Sequence, residues 1–140
     1  MKNRLIICVI ILGLGAMLNA QSVVGMSKED VKEKVKKEHR NFRKDDSVIK
    51  QRFNYLKYVN GMRTRTWIIY FTDEDICKTS KLVCDYSEYN EELEKLNFAF
   101  EKTGESVWEY PVGKDTIQIE LIKQEWYFTI RETRKQGAGD

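Results

Sequence analysis

The strongest constraint on the fold lies in the last third of the chain. There Ile117, Ile119 and Leu121 alternate with Gln118 and Glu120, and Trp126, Phe128 and Ile130 alternate with Tyr127, Thr129 and Arg131. A period of two sends successive side chains to opposite sides of an extended strand. Two such runs, Thr116 to Lys123 and Glu125 to Arg134, joined by a tight turn near Gln124, make a hairpin with one buried and one wet face. Val107 to Val112 reads as a further strand, set off by Gly113-Lys114-Asp115. The chain must therefore build an antiparallel sheet and cover one side of it.

Upstream, Asn60-Gly61 between Arg52–Val59 and Arg63–Thr72 predicts a second hairpin with a two-residue type I′ turn. That loop length sets Tyr58 opposite Arg63, Leu56 opposite Arg65, Asn54 opposite Trp67 and Phe53 opposite Ile68. Two helices complete the reading. Ser27-Lys28-Glu29-Asp30 is a capping-box pattern with Met26 and Val31 placed as a staple, and Val31, Val35 and Phe42 form a thin apolar stripe opposite Lys32, Lys36, Arg40 and Arg43. Ser87 is positioned to cap a second helix over 88–102, with Tyr89, Leu93, Leu96 and Phe100 on its apolar face. The expected fold is α+β: an antiparallel sheet of about five strands with two helices, in the order α-β-β-(disulfide loop)-α-β-β-β. No internal repeat can be aligned.

The first twenty residues read as a secretory signal. Lys2 and Arg4 precede an apolar run from Leu5 to Leu18, shorter than the roughly 20 residues of a membrane span, and Leu18-Asn19-Ala20 is a small-residue cleavage site. The expected organisation is a signal peptide over 1–20, a single α+β domain over 21–134 and a disordered tail over 135–140, with periplasmic or secreted localisation and no stable membrane insertion once the signal is cut. Without Lys2 and Arg4 the chain carries 22 basic and 22 acidic residues, so a nucleic-acid partner is not expected. The charge is unevenly spread, at +7 over 28–70 and −7 over 71–140. Export also bears on Cys77 and Cys84, seven positions apart in Asp75-Ile-Cys-Lys-Thr-Ser-Lys-Leu-Val-Cys-Asp-Tyr86. In an oxidising space such a pair reads as a disulfide stapling a loop. Zinc would need more ligands than His39, the single histidine, can supply, and the spacing is not Cys-x-x-Cys.

Catalytic signatures are missing from the sequence: there is no phosphate-binding glycine loop, paired-histidine metal motif or nucleophile elbow. His39 reads as a packed histidine, and Asp73-Glu74-Asp75 as a solvated strand end rather than a calcium loop. An acid/base role for Glu109, Asp115 and Glu120 would require two of these acids to converge in a cleft. No metal and no cofactor is expected. The remaining feature is the number of strand aromatics. One helical layer covers one sheet face, leaving rings for a binding surface, with Tyr58, Trp67, Trp108 and Trp126 as candidates and Lys36 and Arg40 on the first helix as an alternative basic surface.

The segment Gly25-Met-Ser-Lys-Glu-Asp-Val31 resembles the helix start G-M-[ST]-x-x-x-V of small bacterial envelope proteins in the outer-membrane-assembly accessory (SmpA/OmlA) and β-lactamase-inhibitor-like group. The resemblance implies an α+β envelope module that binds other proteins. The expected function is thus an exported, non-enzymatic module binding an envelope or secreted protein. The alternative is a periplasmic protein that stacks a glycan or small molecule on an aromatic sheet face.

Overall fold

The computed structural model describes residues 22–47 and 52–135. The expected signal peptide and cleavage site, and the tail beyond Lys135, lie outside the described residues. Ten regular elements follow one another: α1 (Lys28–Glu38), β1 (Phe42–Lys44), β2 (Tyr55–Asn60), β3 (Arg65–Phe71), β4 (Cys77–Asp85), α2 (Tyr89–Ala99), β5 (Glu101–Gly104), β6 (Val107–Val112), β7 (Asp115–Lys123) and β8 (Tyr127–Arg134). All eight strands join one antiparallel sheet in the order β1-β2-β3-β4-β8-β7-β6-β5. This corrects the five-strand expectation and its α-β-β-α-β-β-β order. The same α-β-β-β-β succession occurs twice, and the topology is symmetric about the central β4–β8 pair.

The extra strands come from segments read as something else. β1 was expected to continue the first helix, but His39 leaves helical geometry with φ −121° and ends α1 there. β5 was expected to be the last turn of the second helix; all four of its residues are exposed, so no alternation marks it. The largest correction is β4, expected as a disulfide loop. Cys77 and Cys84 stand at opposite regions of one nine-residue strand, both as free thiols. At about 3.3 Å per residue a seven-residue separation along a strand far exceeds the roughly 7 Å limit on Cα separation for a disulfide, so these two cannot bridge. They are core residues, 2% and 1% exposed, and burial pushes each thiol up to about 12.

The first hairpin forms with a different register. Tyr55 pairs with Tyr70, Tyr58 with Trp67 and Val59 with Thr66, a shift of four residues from the two-residue loop. The turn closes instead through Asn60, whose side-chain carbonyl accepts from Arg65 N–H at 2.9 Å, while Arg63 takes the left-handed conformation at φ +57°. An even shift keeps every side chain on its face.

Both helices pack on the same face of the sheet. Val31 and Val35 of α1 sit on Leu56, Tyr58, Ile69, Phe71 and Cys77, joined by Val23 and Val24 of the entering chain. Leu96 of α2, flanked by Tyr89 and Leu93, sits on Cys84, Trp108, Ile119, Leu121, Phe128 and Ile130. Ser27 caps α1, its hydroxyl accepting from Asp30 N–H at 3.2 Å, and Met26 packs nearby as the staple pattern predicts. Among the described residues no helix covers the opposite face, and none is long and apolar enough to cross a membrane.

Candidate functional site

Strand pairing places residues directly opposite one another on the same face, so the register alone lays out the uncovered side. Its central row runs Lys57, Ile68, Lys81, Arg131, Glu120, Val107 across β2, β3, β4, β8, β7 and β6. One neighbouring row carries Val59, Thr66, Val83, Thr129 and Ile122, and the other Tyr55, Tyr70, Thr79, Thr133, Gln118 and Glu109. Apolar Val59, Ile68, Val83 and Ile122 are all only half-buried. The face is thus a mixed apolar and hydroxyl floor crossed by a line of charge.

The charges along that line are not equally satisfied. Lys57 Nζ lies 2.9 Å from Asp45 Oδ2, and Arg131 Nη2 donates to Glu120, which also accepts from Gln118 Nε2 at 2.7 Å. Lys81 has no carboxylate partner among the described residues; its ammonium lies 5.4 Å from the Tyr70 ring centroid. Next to it, the Nε–H of Arg131 is buried without an acceptor. The two cations oppose each other across the β4–β8 pair at the middle of the sheet.

The residues singled out from sequence do not converge. Tyr58 and Trp108 are buried beneath the helices, 6% and 0% exposed, and Trp108 donates to Asn97 Oδ1 at 3.0 Å. Trp67 lies on that same covered face, stacked edge-on with His39 at 5.0 Å and Phe42 at 5.7 Å, and donates to Ser80 Oγ at 2.7 Å. Trp126 stands in the β7–β8 turn at 79% exposure, beside Tyr127 on the open face. Lys36 lies in the last turn of α1 and Arg40 just beyond its C-cap, both exposed. None of the six lies on the open face. Tyr55 and Tyr70, 6.2 Å apart between ring centroids, are aromatics that do lie on it.

Three other groups deserve placement. The acids Glu109, Asp115 and Glu120 are each tied to a separate cation, Lys135 at 2.7 Å, Arg134 at 3.2 Å and Arg131, and form no common cleft. Glu88, Glu91 and Glu92 converge closely enough to hold a metal ion, but Arg65 Nη2 lies 2.8 Å from Glu92 Oε1 and Lys95 pairs with the same carboxylates, so two cations already neutralise the cluster. A cavity of about 250 Å³ is lined by Lys28, Lys32, Lys44 and Lys57 with Asp45 and Asp46; its lysines are paired in the same way.

Beneath the sheet, sequence reasoning missed a polar seam between the two core clusters. Ser22 Oγ donates to Glu132, and Ser22 N–H donates to Tyr110 Oη at 2.8 Å. Burial pushes the Glu132 carboxyl up despite the Ser22 bond, and pushes the Tyr110 phenol up to about 12. This seam anchors the entering chain. His39, the chain's single histidine, lies apart from this seam, packed against Trp67 and Phe42 with burial lowering its pKa.

Neither family models, curated proteins nor solved structures match this chain.

Proposed function

We propose that the chain is an exported, non-enzymatic docking module of the bacterial envelope that engages another envelope or secreted protein through the open face of its sheet. One observation carries this reading: eight strands expose a whole face on which half-buried valine, isoleucine and tyrosine surround an unneutralised cation. Exposed apolar surface framed by polar groups is a property of protein interfaces. Tyr127 extends the surface at its turn end, and exposed aromatics of this kind are frequent anchors.

The glycan or small-molecule reading draws less support. Stacking needs open ring faces, and on the open face Lys81 occupies one side of Tyr70 while Trp67 and Trp108 belong to the core.

Site-specific photocross-linking in the native host tests the reading. A photoreactive residue at Ile68 should yield a discrete adduct with another protein. The same residue at Glu94, exposed on α2, should not. Identical adduct patterns from both positions, or none from well-expressed protein at Ile68, Val83 or Ile122, would refute it.

A further inference from the structure

We infer that the centre of the open face is a carboxylate-binding site built from Lys81 Nζ and Arg131 Nε, and that the partner docked there presents an acidic side chain to it; this rests on the docking reading above. Like charges directly opposite in a sheet repel, and Glu120 offsets Arg131 alone, which leaves the Lys81 charge without an anion among the described residues. The flanking cation Lys57 has such an anion in Asp45. Among the described residues Lys81 meets only an aromatic ring. Arg131 uses Nη2 toward Glu120 and leaves Nε–H, the donor that completes a side-on bidentate contact, without an acceptor. A buried orphan donor favours any state that satisfies it. Lys81 and Arg131 are direct cross-strand partners on this face, the position from which two side chains can share one carboxylate. Thr79 and Thr133, paired with each other on one side, and Thr129 on the other, floor the site with hydroxyls instead of aliphatic groups. The chemistry is that of an anion held by two cations and hydroxyls. Inorganic phosphate shares that chemistry, but the surrounding valines and isoleucines match a protein surface and have no role for a free ion, so phosphate should bind more weakly than a peptide carboxylate.

The test uses the full exported chain, ¹⁵N-labelled, with the Arg131 Nε–H resonance assigned by its loss in Arg131→Lys. Titration with a hexaglutamate peptide should shift that resonance and the amides of Lys81, Thr79 and Thr133 saturably, and Lys81→Met should weaken the binding about tenfold, the loss of one charge-assisted contact. No saturable shift, shifts spread equally over Lys36 and Arg40, or equal response to inorganic phosphate would each overturn the inference. The Ile68 cross-link separates it from the docking reading. An adduct that survives Lys81→Glu at full yield refutes the carboxylate site and leaves the docking face standing. Peptide binding without any adduct supports the site and removes the docking reading.

Discussion

Trp67 invites a choice between binding anchor and structural strut, and the geometry assigns it the second role. Its indole N–H donates to Ser80 Oγ at 2.7 Å, and Ser80 is only 4% exposed. Trp67→Phe keeps a ring against His39 and Phe42 but removes the donor. The buried hydroxyl left behind costs about 1–3 kcal/mol, and part of the edge-on ring packing, worth about 0.5–1.5 kcal/mol per pair, is lost as well. A total near 2 kcal/mol, with a urea m-value of about 1.5 kcal/mol/M for a domain of this size, lowers the unfolding midpoint by roughly 1.3 M. Ser80→Ala alone strands the indole N–H in the same way. The double variant strands neither group, so it should be no less stable than Trp67→Phe, and the cycle should return a coupling of about 1–2 kcal/mol. Urea unfolding followed by far-ultraviolet circular dichroism measures all four proteins. If the double variant's midpoint falls by the sum of the two single losses, the hydrogen bond contributes nothing and Trp67 is not the strut described. The Ile68 cross-link should persist in Trp67→Phe, because this side chain is on the covered face.

Glu132 makes stability depend on pH. Its carboxyl is held above the ordinary value by burial, so between the unfolded and folded pKa values the native state binds more protons and stability falls as pH rises. Glu132→Gln should therefore match the parent at pH 4 and exceed it progressively toward pH 7; a constant difference across that range would contradict the burial. Cys77 and Cys84 should both be alkylated in unreduced, denatured protein and react slowly when native, with mass spectrometry counting the adducts; two unmodified cysteines under denaturant would contradict the single-strand geometry. Trp126→Ala should change stability by less than about 0.5 kcal/mol, whereas Trp108→Ala should cost about 3–5 kcal/mol; a thermal unfolding pair that reversed this order would misplace both residues. Arg65→Met should cost toward the low end of about 3–5 kcal/mol, since it leaves the buried Glu92 carboxylate with Lys95 alone, and a neutral result by denaturant titration would count against the Arg65–Glu92 pair.

What could be read from the sequence tracks how locally each feature is encoded. β6, β7 and β8 were legible because bulky apolar residues alternate within them, and the start of α1 because Ser27 and Asp30 are three residues apart. β4 also alternates, with Ser80, Leu82 and Cys84 inward and Thr79, Lys81 and Val83 outward, but Ser80 is polar and Cys84 small, and cysteine at that spacing reads as a staple rather than as a small core residue. The Asn60 turn failed for a different reason. Its Asn-Gly pair favours a two-residue loop, yet the Asn60 side chain bonds Thr64 and Arg65 within a longer turn, and Gly61 N–H is tied to the Asn41 carbonyl at 3.1 Å, a contact that only the folded neighbour supplies.

The open-face centre lies further still from local encoding. Arg131 belonged to the outward set of an alternating strand, and its direction could be read from that pattern alone. Lys81 sat in a segment read as loop, fifty residues earlier in the chain. Nothing in either segment states that β4 and β8 are neighbours, because the two strands pair across about fifty residues of intervening chain. The +7 and −7 halves of the chain hint at mutual attraction, but Lys81 and Arg131 both belong to the acidic half, and the β4–β8 pair sets these two cations directly opposite each other. A fold stabilised only by its own charge pairing would place an acid at one of those two positions. Two cations there make sense if the missing negative charge belongs to another molecule.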